Sequence, residues 1–295
     1  MISDKFRGIF FGALSAACYG LNPLFAVPLL RQGIGVASVL FFRFAVAAAL
    51  IGIFLAARRT SLRVSRKELA ELFLMAALMT TSSVSLFYGY TLIPASVAST
   101  LLFLYPIFTA LIMIVFFREK LSAGTVLAVA LAFCGVGILC AADGGGNAGG
   151  RIDLGGAAVV AVSALTYAVY LVAVNKTRLR GMNGTKLSFY ILLFGSVFLW
   201  ANAEAGGGID VPATAGAWAN VLLLATIPTL VSTVAIVLSL RRVGPTTTAI
   251  LGAFEPVAAV AAGVLFLGDP FTGALAAGIA LIVAAVSVVV LSGKK

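Results

Sequence analysis

A chain of 295 residues that is 62% apolar and 10% charged, with a mean hydropathy of +1.14, is excluded from the soluble globular class, where charged residues make up roughly 25%. Its net charge of +10 would suggest a nucleic-acid partner in a soluble protein, but in an apolar chain the basic residues are first determinants of membrane orientation. There is no histidine, which excludes imidazole proton relays, histidine metal centres and Ser-His or Cys-His triads and weighs against an enzyme.

A membrane-spanning helix needs about 20 apolar residues. By that measure spans are predicted at 8–30, 36–57, 70–91, 95–117 and 124–141, and then at 154–175, 185–204, 216–240, 246–267 and 272–292. The first follows Lys5 and Arg7 as the core of a signal peptide would, but it is too long, lacks a small-residue cleavage site and is followed by further spans. Short turns separate neighbouring spans at Ile93-Pro94-Ala95, Val243-Gly244-Pro245-Thr246 and Leu267-Gly268-Asp269-Pro270. Cys18, Cys134 and Cys140 lie in apolar runs without metal-ligand spacing and read as small packing residues. Small-residue ridges at Gly124, Ala128 and Ala132, and at Ala276, Ala280 and Ala284, read as helix-packing faces. The fold expected is therefore all-α and integral to the membrane, with ten transmembrane helices.

Alternating sides along this map sorts the charges. All of the 20 basic residues except Arg31, Arg43 and Arg151 fall on one side, while Asp143, Asp153, Glu204, Asp210 and Asp269 collect on the other. The positive-inside rule then places both termini in the cytoplasm. Trp200 and Trp218 fall at the outer interface, where an aromatic belt is expected.

The two halves repeat. A shift of 150 aligns Leu104-Tyr105-Pro106-Ile107 with Phe254-Glu255-Pro256-Val257, and Phe117-Arg118-Glu119-Lys120-Leu121-Ser122 with Leu267-Gly268-Asp269-Pro270-Phe271-Thr272. A shift of 148 aligns Ser15-Ala16-Ala17-Cys18-Tyr19-Gly20 with Ser163-Ala164-Leu165-Thr166-Tyr167-Ala168. Because each unit has an odd number of helices, the second enters the membrane from the opposite side, giving two inverted five-helix repeats. The expected division is residues 1–143, an external glycine-rich linker at 144–153, and residues 154–295. Such halves can exchange conformations and open a central site to each side in turn.

Phe41-Phe42-Arg43-Phe44, Leu104-Tyr105-Pro106 leading to Phe117-Arg118-Glu119-Lys120-Leu121, and Leu251-Gly252-Ala253-Phe254-Glu255-Pro256-Val257 leading to Leu267-Gly268-Asp269-Pro270 resemble the EamA-type branch of the drug/metabolite transporter superfamily. That resemblance covers nearly the whole chain. It implies a multi-pass carrier of the bacterial inner membrane, commonly an exporter of amino acids, aromatic ones included, or of other small metabolites.

Prolines interrupt three predicted spans: Pro23 and Pro28 in the first, Pro106 in the fourth and Pro256 in the ninth. Proline frees a backbone carbonyl, which is tolerated where that group is buried in protein or lines a cavity. These residues either shape the bundle or act as hinges, and the equivalence of Pro106 and Pro256 favours hinges at Pro23, Pro106 and Pro256. Glu255 is the only carboxylate expected near the bilayer midplane, where a lone charge is costly, and it shares a helical face with Thr248, Gly252 and Ala259. It is read as a substrate-binding or coupling residue. The competing role is a static ion pair with Arg43, which enters the second span by roughly 10 Å.

All seven tyrosines fall within predicted spans. Tyr19 pairs with Asn22 on one face, Tyr167 with Tyr170 on another, and Tyr88 continues a face with Thr81 and Ser85; Tyr105 precedes Pro106, and Thr229 lies on a face with Thr226 and Thr233. Single hydroxyls in spans commonly bond helix to helix, but their convergence favours a cavity. Such a cavity, aromatic and weakly polar with one acid, suits a small amphipathic ammonium compound, an aromatic amino acid or equally a hydrophobic cationic drug. No ring of like charges marks an ion channel or a phosphate carrier, and no phosphate-binding loop marks an ATPase. The expected partners are the lipid bilayer and a small-molecule substrate, with no nucleic acid, cofactor or metal, in a monomer or homodimer. The rival class is an intramembrane enzyme or assembly factor, which would need a cluster of catalytic groups.

Overall fold

The computed structural model describes residues 2–118, 123–141, 153–252 and 254–292. The expected linker, apart from Asp153, lies outside the described residues. So do Glu119, Lys120 and Leu121 of the loop motif, Ala253, and Asp143, Arg151, Lys294 and Lys295 of the charge map.

The described residues form helices and no strand. In chain order these are α1 (Ile2–Gly20), α2 (Asn22–Arg31), α3 (Val36–Ala57), α4 (Arg66–Leu92), α5 (Ala95–Leu102), α6 (Tyr105–Phe117) and α7 (Ala123–Ala141). They continue with α8 (Leu154–Lys176), α9 (Gly184–Ala205), α10 (Ala215–Ala225), α11 (Ser232–Leu251), α12 (Phe254–Ala262) and α13 (Gly273–Ser292). Among the described residues seven stretches are long and apolar enough to cross a membrane: Asp4–Arg31, Val36–Ala57, Arg66–Leu92, Ala95–Phe117, Leu154–Val174, Gly184–Ala205 and Ala215–Ile236. Three shorter apolar helices follow the same pattern at Val126–Ile138, Phe254–Leu267 and Gly273–Ala285.

Backbone amides at helix starts need acceptors. Ser65 begins α4 with a capping box, its hydroxyl accepting from Glu68 N while the Glu68 carboxylate accepts from Ser65 N. Asp153, Asn183 and Thr214 accept from amides in the first turns of α8, α9 and α10. Two helices take their acceptor from a distant segment: Asp210 Oδ2 accepts from Gly35 N before α3, and Asp269 Oδ2 accepts from Ser96 N in α5, each at 2.8 Å. The second compensates for Pro94, which precedes α5 and has no side-chain acceptor.

These contacts give the bundle two unlike ends. At one, Lys186 Nζ donates to Arg63 O at 2.6 Å, Arg178 N donates to Glu71 Oε2 at 3.2 Å, and Gly8 approaches Arg242. The other carries Asp210 and Asp269 with Arg31, whose Nη2 donates to Leu267 O at 2.9 Å. Trp200 is exposed, whereas Trp218 is half-buried and packs edge-on against Phe42 at 5.1 Å.

α11 conceals a reversal. Its hydrogen bonding is helical throughout, yet Ser239 Oγ lies 2.9 Å from Thr248 Oγ1, whereas nine residues of straight helix would separate them by about 13 Å. The chain therefore folds back within the interval that holds the predicted Val243–Thr246 turn. Gly12 of α1 sits beneath both arms: a Cβ there would lie 2.4 Å from Leu251 Cδ1 and 2.7 Å from Ser239 Oγ.

The main helix pairs are α1 with α11, α4 with α8, α3 with α9, and α7 with α13, while α1 also packs on α12 and α6 on α8. Serines bridge two of them. Ser15 Oγ donates to Ser232 O at 2.8 Å, and Ser82 and Ser163 donate to each other's carbonyls at 3.0 and 2.7 Å. In the α7–α13 pair Ala128 and Ala132 are buried as expected of a packing ridge, but Ala280 and Ala284 turn outward. The close contact is instead Gly135 of α7 against Gly278 O and Ile282 of α13. Lipid is as apolar as a helix neighbour, so a stripe of small residues does not by itself identify the packed face.

Candidate functional site

Prolines break the central helices, and at three of them the freed carbonyl is answered locally. A proline at position i removes the N–H that would bond the carbonyl of i−4. Pro23 thus frees Tyr19 O, where α1 gives way to α2, and Asn22 Nδ2 donates to that carbonyl at 2.7 Å. Pro256 frees Gly252 O, which accepts from Glu255 N at 2.9 Å and sets Glu255 in the first turn of α12. Pro228 lies in a π-helical segment, Thr226–Val231, and frees Leu224 O; Thr229 Oγ1 donates to it at 3.2 Å. The same Thr229 oxygen accepts from Arg43 Nε at 3.1 Å. Pro228 therefore helps to position Arg43 through Thr229, a role not legible from its place in the predicted span 216–240.

Between these broken helices lies a cavity of about 680 Å³. α1 contributes Ser15 and Tyr19, α3 Arg43, α6 Tyr105, Pro106 and Thr109, and α8 Tyr167 and Tyr170. Pro228, Thr229, Ser232 and Thr233 close a further side, and Thr248, Gly252 and Glu255 complete the wall. The Tyr105 and Tyr167 rings meet edge to face at 4.9 Å, and Tyr167 stacks on Tyr170 at 5.8 Å and 21°. Ser188 near the start of α9 and Met113 near the end of α6 carry the lining toward the basic end. At the opposite end helices pack closely, since all eight residues of α5 are buried and Gly20 lies directly against the backbone of α12.

The predicted residues divide by place. Glu255, Tyr19, Tyr105, Tyr167, Tyr170, Thr229, Arg43 and Pro106 line the cavity. Asn22 does not; it is 2% exposed and holds the helix break. Pro23 and Pro256 stand at breaks but outside the lining. Tyr88 is 53% exposed on the outer face of α4 with Thr81, and the inward aromatic is Tyr90, whose hydroxyl lies 3.3 Å from Ser99 Oγ. Ala259 is buried at the α1–α12 contact rather than in the cavity. Ser15, Ser232, Thr109 and Ser188 went unnoticed because a lone hydroxyl in a span reads equally as helix glue.

Glu255 and Arg43 are 7% and 4% exposed, and no ion pair joins them. Among the described residues the ion pairs are Arg7 with Asp4 and Arg178 with Glu71, and the static Arg43–Glu255 pair is not formed. Arg43 lies instead among the rings of Phe44 and Phe87, 5.9 and 5.5 Å from their centroids. Among the described residues no group of three or more histidine, cysteine, aspartate or glutamate side chains gathers to hold a metal.

The sequence model of the EamA-like transporter family matches residues 6–141 and again residues 154–291. Comparison with curated proteins finds no match. A solved crystal structure with 19% sequence identity aligns over 100% of this chain and 98% of its own, with a TM-score of 0.65, a likeness of fold alone.

Proposed function

Because this chain belongs to the EamA-like transporter family, whose members are membrane transporters of small molecules, we propose that it is a secondary carrier exporting amino acids, aromatic ones favoured, by alternating access. The observation that carries this reading is the tyrosine-walled cavity between broken helices, with one acid and one base in its wall. A hydrophobic cationic drug suits Glu255 and the rings but leaves Arg43 uncompensated, so the amino acid is preferred.

We further propose ten crossings as two inverted repeats, residues 1–143 and 154–295 joined by 144–153. Among the described residues seven long spans and three shorter apolar helices each overlap one of the ten predicted segments, which supports this count. Support for inversion comes from contacts that exchange between the halves. A shift of 148 carries Ser15 to Ser163 and one of 150 carries Ser82 to Ser232, so the Ser15–Ser232 and Ser82–Ser163 bonds are one contact made twice. The α1–α12 and α6–α8 contacts exchange likewise. Arg118 and Gly268, 150 apart, both end their helices in the left-handed region, at φ 54° and 80°. With the basic end in the cytoplasm of a bacterial inner membrane, both termini lie inside and the cavity faces inward.

Counterflow in proteoliposomes tests the carrier reading. Vesicles preloaded with unlabelled tryptophan, phenylalanine or tyrosine should accumulate the labelled amino acid transiently, and no accumulation for any amino acid tried would refute it. In the same assay Tyr88→Leu should leave the half-saturating concentration unchanged within about 2-fold, since Tyr88 faces outward. Tyr167→Leu, which removes a ring contact on each side, should raise that concentration about 5- to 10-fold.

A further inference from the structure

Arg43 and Glu255 stand in the wall of one cavity, are of opposite sign, and do not pair with each other. A guanidinium offers five N–H donors in a rigid fork. Thr229 takes the Nε donor, and among the described residues no hydrogen bond engages Nη1 or Nη2. Both residues line the cavity, and among the described residues no hydrogen bond or ion pair engages the Glu255 carboxylate. A buried charge persists only with a partner or with water. An occupant bearing only a positive charge would satisfy Glu255 and strand Arg43, whereas one bearing only a negative charge would do the reverse.

We infer that the cavity reads its substrate as a zwitterion, the free fork of Arg43 taking the carboxylate while Glu255 takes the ammonium of the same molecule. The stacked rings of Tyr167 and Tyr170, with Tyr105 edge-on, leave an apolar wall for an aromatic or aliphatic side chain. Thr229, held by the carbonyl that Pro228 frees, is the positioning residue that keeps the fork turned to the cavity. The inference rests on the carrier reading and narrows its substrate class to free α-amino acids, excluding amines, amides and esters.

Three probes on the full-length protein test it, by counterflow and by thermal-shift binding: L-phenylalanine, phenethylamine, which lacks the carboxylate, and 3-phenylpropionate, which lacks the amine. Wild-type protein should prefer phenylalanine to either by about 30-fold or more. Arg43→Gln and Arg43→Lys, the latter keeping the charge without the fork, should each lower phenylalanine affinity about 30-fold and 10-fold, with phenethylamine shifting less than about 3-fold. The wild-type panel needs no variant, so misfolding of an Arg43 substitution would not shield the inference. Equal handling of phenethylamine and phenylalanine by wild-type protein overturns it and leaves the carrier reading intact. Failure of all three probes and of every other amino acid in counterflow overturns both. A folded Arg43 variant that keeps the wild-type preference also overturns it.

Discussion

Glu255→Gln is expected to lower export driven by a pH gradient about 100-fold, equivalent to ~2.7 kcal/mol, while exchange at saturating substrate stays within about 3-fold of wild type. A carboxylate inside the membrane is tolerated as an anion only with a compensating charge, so the empty carrier returns most readily with Glu255 protonated. On the proposed carrier reading, protonation from an acidic exterior would displace the substrate ammonium there, and loss of the proton to a more alkaline cytoplasm would ready the site again. Wild-type export should therefore rise as external pH falls below internal pH. The glutamine variant cannot ionise, so its export should be flat across the same gradient. Its half-saturating concentration should rise about 10- to 100-fold through loss of one charged hydrogen bond. Exchange and folding lost together would assign Glu255 a structural role, and a variant that still responds to the gradient would place the coupling proton elsewhere.

The second large effect is at Gly20. A Cβ at this position would fall 2.3 Å from Glu255 O and 2.9 Å from Ala258 Cβ, with Ala259 N at 3.1 Å. The first of these is backbone, so no rotamer change relieves it, and α1 and α12 would have to part along their contact. Gly20→Ala should cost about 2 kcal/mol, and Gly20→Val about 3 kcal/mol or more, in denaturant unfolding of the detergent-solubilised protein. Cavity-wall substitutions such as Tyr167→Leu should cost less in stability than in affinity. A Gly20→Val protein as stable as wild type would show that α1 and α12 are farther apart than described.

Hydropathy made the helical membrane class legible, because a chain in lipid must satisfy its backbone within helices and needs enough apolar residues to span. Charge placement was legible at the ends of the bundle. Lys186 with Arg63, and Asp210 and Asp269 at helix starts, lie where the alternation of sides put them. The functional reading of Glu255 also came from composition, since no other predicted midplane position carries a carboxylate. Less legible was the part each proline plays. Pro23 and Pro256 were visible as interruptions, but not that Asn22 would answer one freed carbonyl, or that Thr229 would answer another and then hold Arg43.

Which face of a helix turns inward was decided only by tertiary structure. Tyr88 and Tyr90 lie two residues apart in one span, one 53% and the other 8% exposed, and local spacing favoured the outer of them. In water the polar face of a helix looks outward and the pattern settles the matter. In a bilayer the exterior is as apolar as the packed interior, so periodicity loses that information. The sequence by itself therefore determined the all-helical membrane class, the seven long apolar spans and the family repeat that occurs twice. Tertiary structure alone brought Arg43 and Glu255 from separate halves into one cavity without pairing them, because Arg43 is held by Thr229, a residue 186 positions away that it meets only in the folded chain.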